Sequence, residues 1–124
     1  MAWRSKGFFY DCMARVPFIV RGPGILPWAR TNSLVSTLDI VPLFYQTCQL
    51  EPPLGLQGQI IRDLLDDPTA ALRHQVFSEM MGRTMVREQR YKYAYYASGE
   101  AELYDLQENS NELVNLAGQK IWPA

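Results

Sequence analysis

The pattern of apolar and polar residues changes near Pro68. Before that point the wholly apolar residues 16–20 end at Gly22-Pro23-Gly24, which predicts a buried strand entering a turn. Residues 22–32 are interrupted by Pro and Gly and predict a loop.

A helix is predicted to begin at Ser36 or Thr37, with Asp39 in its first turn, where the helix dipole favours a carboxylate. Pro42 is tolerated because it lies near that first turn. The face expected to be buried is a stripe at helical spacing, formed by Leu38, Val41, Tyr45 and Cys48.

A second helix of two turns is predicted over residues 59–65, before Asp66-Asp67-Pro68 ends it. Beyond Pro68 the pattern predicts four strands, over residues 75–79, 84–89, 91–97 and 101–106. Turns are expected at residues 88–90 and 98–100, with Gly99 at a positive φ.

On the third strand Tyr91, Tyr93 and Tyr95 alternate and so share one face. We interpret this as the inner face, against helices, whereas Lys92 and Tyr96 point the other way. Asn109 and Glu112 have capping-box spacing, which predicts a short final helix through Ala117.

These elements predict an α+β fold, an antiparallel sheet of about four strands with helices packed on one face, preceded by a strand-loop-helix. One domain is expected for the 124 residues, with residues 1–50 as its first part and residues 75–117 as the sheet subdomain.

Composition is that of an ordinary globular protein, with 48% hydrophobic and 20% charged residues. The net charge of −1 gives no overall attraction to nucleic acid or to an anionic membrane. No apolar run is long enough for a transmembrane helix or for a signal-peptide core, so a cytoplasmic location is the default expectation.

Basic residues interleave with tyrosines on the predicted strands, a pattern that can bind single-stranded nucleic acid by stacking and phosphate contacts. The basic residues are Arg83, Arg87, Arg90 and Lys92. An ordinary tyrosine-lined core explains the pattern better, and the acidic net charge opposes polyanion binding. We expect no nucleic-acid partner.

Several residues with catalytic or metal-binding chemistry lack the required spacing. Cys12 and Cys48 are expected to be small buried hydrophobes. His74 makes no zinc site with them, and a dyad with Ser78 fails because residues four apart on a strand do not meet. The acidic side chains of Asp63, Asp66 and Asp67 are expected to be solvated, without calcium-loop spacing.

An ordered set of motifs resembles the sulfatases of the alkaline-phosphatase superfamily. Lys6-Gly7-Phe8-Phe9-Tyr10-Asp11 is similar to a segment deep inside those enzymes. Further similar segments follow in the family's order: Leu34-Val35-Ser36-Thr37-Leu38-Asp39-Ile40-Val41-Pro42, Leu56-Gln57-Gly58, Val76-Phe77-Ser78-Glu79, Glu102-Leu103-Tyr104-Asp105-Leu106 and Asn111-Glu112-Leu113-Val114-Asn115-Leu116-Ala117.

The resemblance implies a C-terminal part of a sulfatase, whose first 50 residues are a remnant of the large α/β domain. Lys6 matches the family lysine that contacts the substrate sulfate, and Arg15 matches an arginine that more often forms a structural ion pair. The family's calcium ligands and formylglycine nucleophile lie upstream of such a segment. We therefore expect no cofactor here, although the sequence leaves open whether the chain is an enzyme.

Cys12 is not expected to be the nucleophile, although formylglycine derives from cysteine. The maturation motif of the family is Cys-x-Pro/Ala-x-Arg, and Val16 occupies the place of its arginine. Three functions remain open. They are a non-catalytic sulfatase fragment, half of a split sulfatase active with an N-terminal partner, and a free-standing binding module.

A homodimer is expected through residues 8–20. The apolar side chains of that region would be covered in a whole sulfatase by sequence that is not part of this chain. A two-fold contact is the commonest way to cover such a surface.

Overall fold

A four-stranded antiparallel sheet lies in the second half of the chain. Its strands are β1 (Val76–Met80), β2 (Arg83–Arg87), β3 (Tyr91–Tyr96) and β4 (Ala101–Asp105), in sequence order across the sheet. In the register, Arg87 lies opposite Lys92, and Lys92 lies opposite Tyr104. The four predicted strands and the α+β class are confirmed.

The computed structural model describes residues 7–119. They belong to two compact units, Met1–Phe18 with Phe77–Ala124, and Ile19–Val76. The sheet belongs to the first unit apart from Val76, the first residue of β1. The boundaries expected at residues 50 and 75 remain predictions.

Tight turns join the strands. Gly99, between β3 and β4, has φ of +91°, as its place in the hairpin predicts. Met81 and Gly82 between β1 and β2 also have positive φ, and the Met81 side chain is 95% exposed.

The two faces of β3 are the reverse of the sequence interpretation. Tyr91, Tyr93 and Tyr95 are 40–48% exposed, whereas the alternate residues Lys92, Ala94 and Tyr96 are buried. The reason is the segment 7–11, which lies on the face that carries Lys92. There Phe9 packs in a core with Met85, Ala94 and Tyr96.

The predicted strand over residues 16–20 is wrong. After the short helix α1 (Asp11–Ala14) these residues form no regular element, and Val16, Phe18 and Ile19 are 43–89% exposed. An apolar run becomes a strand only with a neighbouring strand to bond, and all four strands described between residues 7 and 119 lie between Val76 and Asp105.

The predicted helix after Asn109 is also wrong. Residues 109–117 form turns, and Glu112 has φ of +57°, which a right-handed helix cannot contain. The Asn109 side chain accepts a hydrogen bond from the Leu113 amide, and the Glu112 carboxylate binds elsewhere, so no capping box forms.

In the second unit Ser36 begins a 3-10 turn (Thr37–Asp39) that continues as α2 (Ile40–Thr47), which confirms the predicted start. The predicted buried stripe is wrong, because Leu38, Val41 and Cys48 are exposed. The side chains of Asp39 and Pro42 are buried in its place.

Gly58 packs against the start of this helix so closely that an added Cβ would lie 2.1 Å from the Leu38 carbonyl oxygen. The second predicted helix forms as α3 (Arg62–Asp66), three residues later than expected. The buried apolar side chains of this unit are those of Leu34, Pro42, Ile61 and Leu64. Across residues 7–119, no helix is long and apolar enough to cross a membrane.

Candidate functional site

A buried cluster of charged side chains lies where the segment 7–11 meets the sheet. Lys92, 1% exposed, donates to the Phe9 carbonyl oxygen at 2.7 Å and to Asp11 Oδ1 at 2.9 Å, and it pairs with Glu112 Oε1. A lysine ammonium has three N–H donors; here two of them have hydrogen-bond acceptors, and Glu112 Oε1 contributes an ion pair without a hydrogen bond of its own.

The other members of this charge cluster complete the charge balance. Glu112 Oε2 accepts from the Asp11 backbone amide at 2.6 Å, and Arg87 pairs with Asp11 Oδ1. Two carboxylates therefore face two cations. Buried charges of this kind are tolerated only when they are paired and hydrogen-bonded.

The pKa of the Asp11 carboxyl lies below its usual value of 3.8. Burial acts to raise it, but the hydrogen bonds from Lys92 and Arg87 outweigh burial and favour the ionised form. Asp11 is therefore a carboxylate at neutral pH. It is suited to holding cations and unsuited to donating a proton.

A second polar network borders the charge cluster. Glu102 accepts from Tyr10 Oη at 3.1 Å and from Tyr96 Oη at 2.7 Å, and the Tyr104 ring lies 6.1 Å from that of Tyr10, between centroids. Burial, followed by the neighbouring polar groups Glu102 and Tyr10, raises the pKa of the Tyr96 and Tyr104 hydroxyls. The tyrosines stay protonated as donors, and this network also holds the segment 7–11 on the sheet.

The cations considered for nucleic-acid binding are engaged within the chain. Arg83 donates to the Gly7 carbonyl oxygen and lies over the rings of Phe8 and Tyr96, and Arg90 pairs with Asp105 at 2.7 Å. The hydrogen bond from Arg90 also lowers the pKa of the Asp105 carboxyl. Since Arg87 and Lys92 belong to the charge cluster, the expectation of no nucleic-acid partner stands as a prediction with these contacts in its favour.

The remaining residues singled out from sequence do not converge. Lys6 lies outside the described residues, and Arg15, Cys12 and Cys48 are exposed. The expectation that the two cysteines are buried is therefore wrong. His74 is exposed at a bend before β1, as expected for a surface histidine.

The acidic side chains considered as metal ligands do not converge. Between residues 7 and 119 no three His, Cys, Asp or Glu side chains come together as a metal site. Asp66 pairs with Arg62 across one helical turn, and Asp67 accepts from Thr69, which accounts for two of the three clustered acids.

Sequence reasoning missed the charge cluster. Lys92 was placed on the outer face, and Glu112 was interpreted as a helix-capping residue. The sequence carried no sufficient signal, because Lys92, Ala94 and Tyr96 share one face of the strand and Tyr91, Tyr93 and Tyr95 share the other, and this spacing does not say which face is buried. Its acceptors Phe9 and Asp11 are more than 80 residues away in sequence.

The chain is similar to known sulfatases over nearly its whole length. The family model described as N-sulphoglucosamine sulphohydrolase, C-terminal, matches residues 1–122. Arylsulfatase K of Rattus norvegicus is 30% identical over 94% of this chain and 24% of its own length. The Delta 4,5-hexuronate-2-O-sulfatase of Bacteroides thetaiotaomicron is 34% identical over 88% of this chain and 25% of its own length.

A solved structure shares the fold. A sulfatase-family protein from Bacteroides thetaiotaomicron superposes with a TM-score of 0.76 at 30% identity, covering 94% of this chain and 28% of that one. The chain thus spans about a quarter of the length of the sulfatases that it matches. With residues 1–122 matched, the chain belongs to the N-sulphoglucosamine sulphohydrolase C-terminal family and is homologous to the C-terminal part of sulfatases.

Proposed function

We propose that this chain is the C-terminal, non-catalytic region of a sulfatase, which supplies a scaffold and leaves the ester hydrolysis to the rest of the enzyme. The observation that carries the proposal is the extent of the match, 88–94% of this chain against about a quarter of each relative. The buried side chains support it, because the charge cluster pairs its groups with one another.

Lys6 enters this proposal as the lysine that contacts the substrate sulfate in the assembled enzyme. It cannot act alone, since a nucleophile, a metal and a charged pocket work as a unit. The formylglycine and calcium of the family would come from the other region. A cytoplasmic location remains a prediction.

The alternative of a split sulfatase, active with a separate N-terminal partner, is supported by the same extent of match. A free-standing binding module has less support. The concavity described at the β1–β2 turn, residues 79–84, is open to solvent and lacks the enclosed apolar lining of small-molecule pockets.

A calcium titration tests the proposal. A ligand that binds only the native state raises the melting temperature with concentration. Because residues 7–119 contain no metal-binding group of three, we expect no shift in the melting temperature at millimolar calcium, measured against magnesium as the control ion. A saturable rise specific to calcium would contradict the proposal, and the acids Asp63, Asp66 and Asp67 would be the first place to look.

We also propose that the isolated chain forms a homodimer through residues 8–20. Phe9 is buried in its own core, but Phe8, Val16, Phe18 and Ile19 are 40–89% exposed. Burial of a large apolar side chain is worth about 1.5–3 kcal/mol, so a two-fold contact over these side chains would be favourable.

Light scattering at micromolar concentration tests the dimer and its location. We expect twice the monomer mass for the wild type and for Leu113→Asp, a control at another exposed apolar position. Phe18→Asp should give the monomer mass. A monomeric wild type would refute the dimer, and a dimer that persists in Phe18→Asp would refute the location.

A further inference from the structure

The segment 7–11 has no regular structure before α1, yet each of its residues is held by the sheet or by the loop after it. The Gly7 carbonyl accepts from Arg83, and Phe8 lies against Arg83 and Tyr96. Phe9 is in the core, Tyr10 donates to Glu102, and Asp11 belongs to the charge cluster. The density of these contacts exceeds what an irregular connecting segment needs.

The backbone conformation of Glu112 indicates that the surrounding fold enforces the charge cluster. It is a non-glycine residue at φ +57°, a conformation that costs free energy and persists only where the surroundings enforce it. In that conformation its two carboxylate oxygens contact different partners. One binds the Asp11 amide and the other pairs with Lys92, so a single side chain joins the segment to β3.

Lys92 acts on the same segment from the opposite side. Its ammonium binds the Phe9 carbonyl and the Asp11 carboxylate, two residues apart in sequence, and therefore fixes both position and direction of the chain between them. Arg87 on the neighbouring strand binds the same carboxylate. These contacts are polar and directional, unlike the apolar packing of Phe9, which allows small rotations and slips.

We propose that Lys92 and Glu112 are positioning residues, which lock the segment 7–11 onto the sheet and so fix the direction of the chain at Gly7. The inference rests on the proposed function in one respect, the sulfate contact assigned to Lys6. In the assembled sulfatase the lock would orient that lysine from the sheet side. The locked segment and the sheet should then open as separate units.

Amide hydrogen exchange on the intact chain, observed residue by residue by NMR, tests this separation. The probe amides are those of Asp11, which donates to Glu112, and of Ala14 and Arg15 in the turn of α1. The reference amides flank the strands of the sheet. The Glu88 amide donates to the Tyr91 carbonyl oxygen, and the Leu106 amide donates to the Arg90 carbonyl oxygen. In Glu112→Gln, which keeps the shape and removes the charge, we expect the probe amides to exchange about tenfold faster, with the reference amides unchanged.

Lys92→Met should give the same result, and Lys92→Arg, which keeps a cation with several donors, should restore part of the protection. Arg90→Met is the matched control, because it removes a cation bound to a carboxylate beside β3 but outside the segment's contacts. It should leave the probe amides unchanged.

Two results would overturn the inference. Probe amides that stay protected in both Glu112→Gln and Lys92→Met would show that the segment is held without the lock, by its remaining contacts such as the Phe9 packing and the Tyr10–Glu102 hydrogen bond. Probe and reference amides that accelerate together would show that segment and sheet are one cooperative unit. Neither result bears on whether the isolated chain is catalytic, so failure here is distinguishable from failure of the proposed function.

Discussion

At the scale of single residues, the charged side chains that organise each unit reach partners distant in sequence. Asp39 is fully buried, and its carboxylate accepts from the Ser36 amide, the Gln59 amide and Arg73 Nη2, at 2.7–2.8 Å. The sequence predicts only the local part, an acid in the first turn of a helix. Gln59 and Arg73 lie 20 and 34 residues further on, beyond the reach of any spacing rule.

This arrangement makes Asp39 a strong determinant of stability. Asp39→Asn keeps the size but leaves Arg73 without its counter-charge, and breaking one side of a buried pair costs about 3 kcal/mol. We expect that loss in the free energy of unfolding, measured by urea denaturation with circular dichroism. Asp66→Asn is the control, because the Arg62–Asp66 pair is exposed, and such pairs contribute about 0.5 kcal/mol or less. Equal losses in the two variants would contradict the role given to Asp39.

At the scale of elements, the sequence predicts the strands well and their environment poorly. Period-two alternation and turn residues locate all four strands within about two residues, and Gly99 has the expected positive φ. Which face of β3 is buried depends on what covers it. The covering residue Phe9 is 83 positions from Lys92, so alternation alone cannot distinguish the two faces.

Two elements predicted from local pattern fail because of their tertiary surroundings, which give one no strand to pair with and give the other competing contacts. Residues 16–20 have the composition of a buried strand but do not join the sheet, and residues 109–117 have a helix start that tertiary contacts override. At Glu112 the contacts to Asp11 and Lys92 replace the local capping contact. Local preferences of this kind are weak and give way to long-range contacts of larger free energy.

At the scale of the whole molecule, the ordered motifs identify the family although each motif alone is weak. The candidate site is harder to predict from the sequence. The role given to Lys6 comes from the family resemblance alone, and the charge cluster is recognised only in the folded structure. The exposed apolar side chains of the second unit, such as Trp28 at 99% and Phe44 at 63%, are consistent with a region that is covered in a larger assembly. On the function proposed above, this chain is the scaffold, and the chemistry belongs to the rest of a sulfatase.

Hydrolysis of a chromogenic aryl sulfate by the purified chain, with calcium present, tests the central claim most directly. We expect no release of the chromophore above the rate in buffer, for the wild type and equally for Lys6→Ala. Turnover that follows the chain through purification and is lost in Lys6→Ala would contradict the claim that catalysis needs another region. Turnover that survives Lys6→Ala would contradict that claim and, in addition, the role proposed for Lys6.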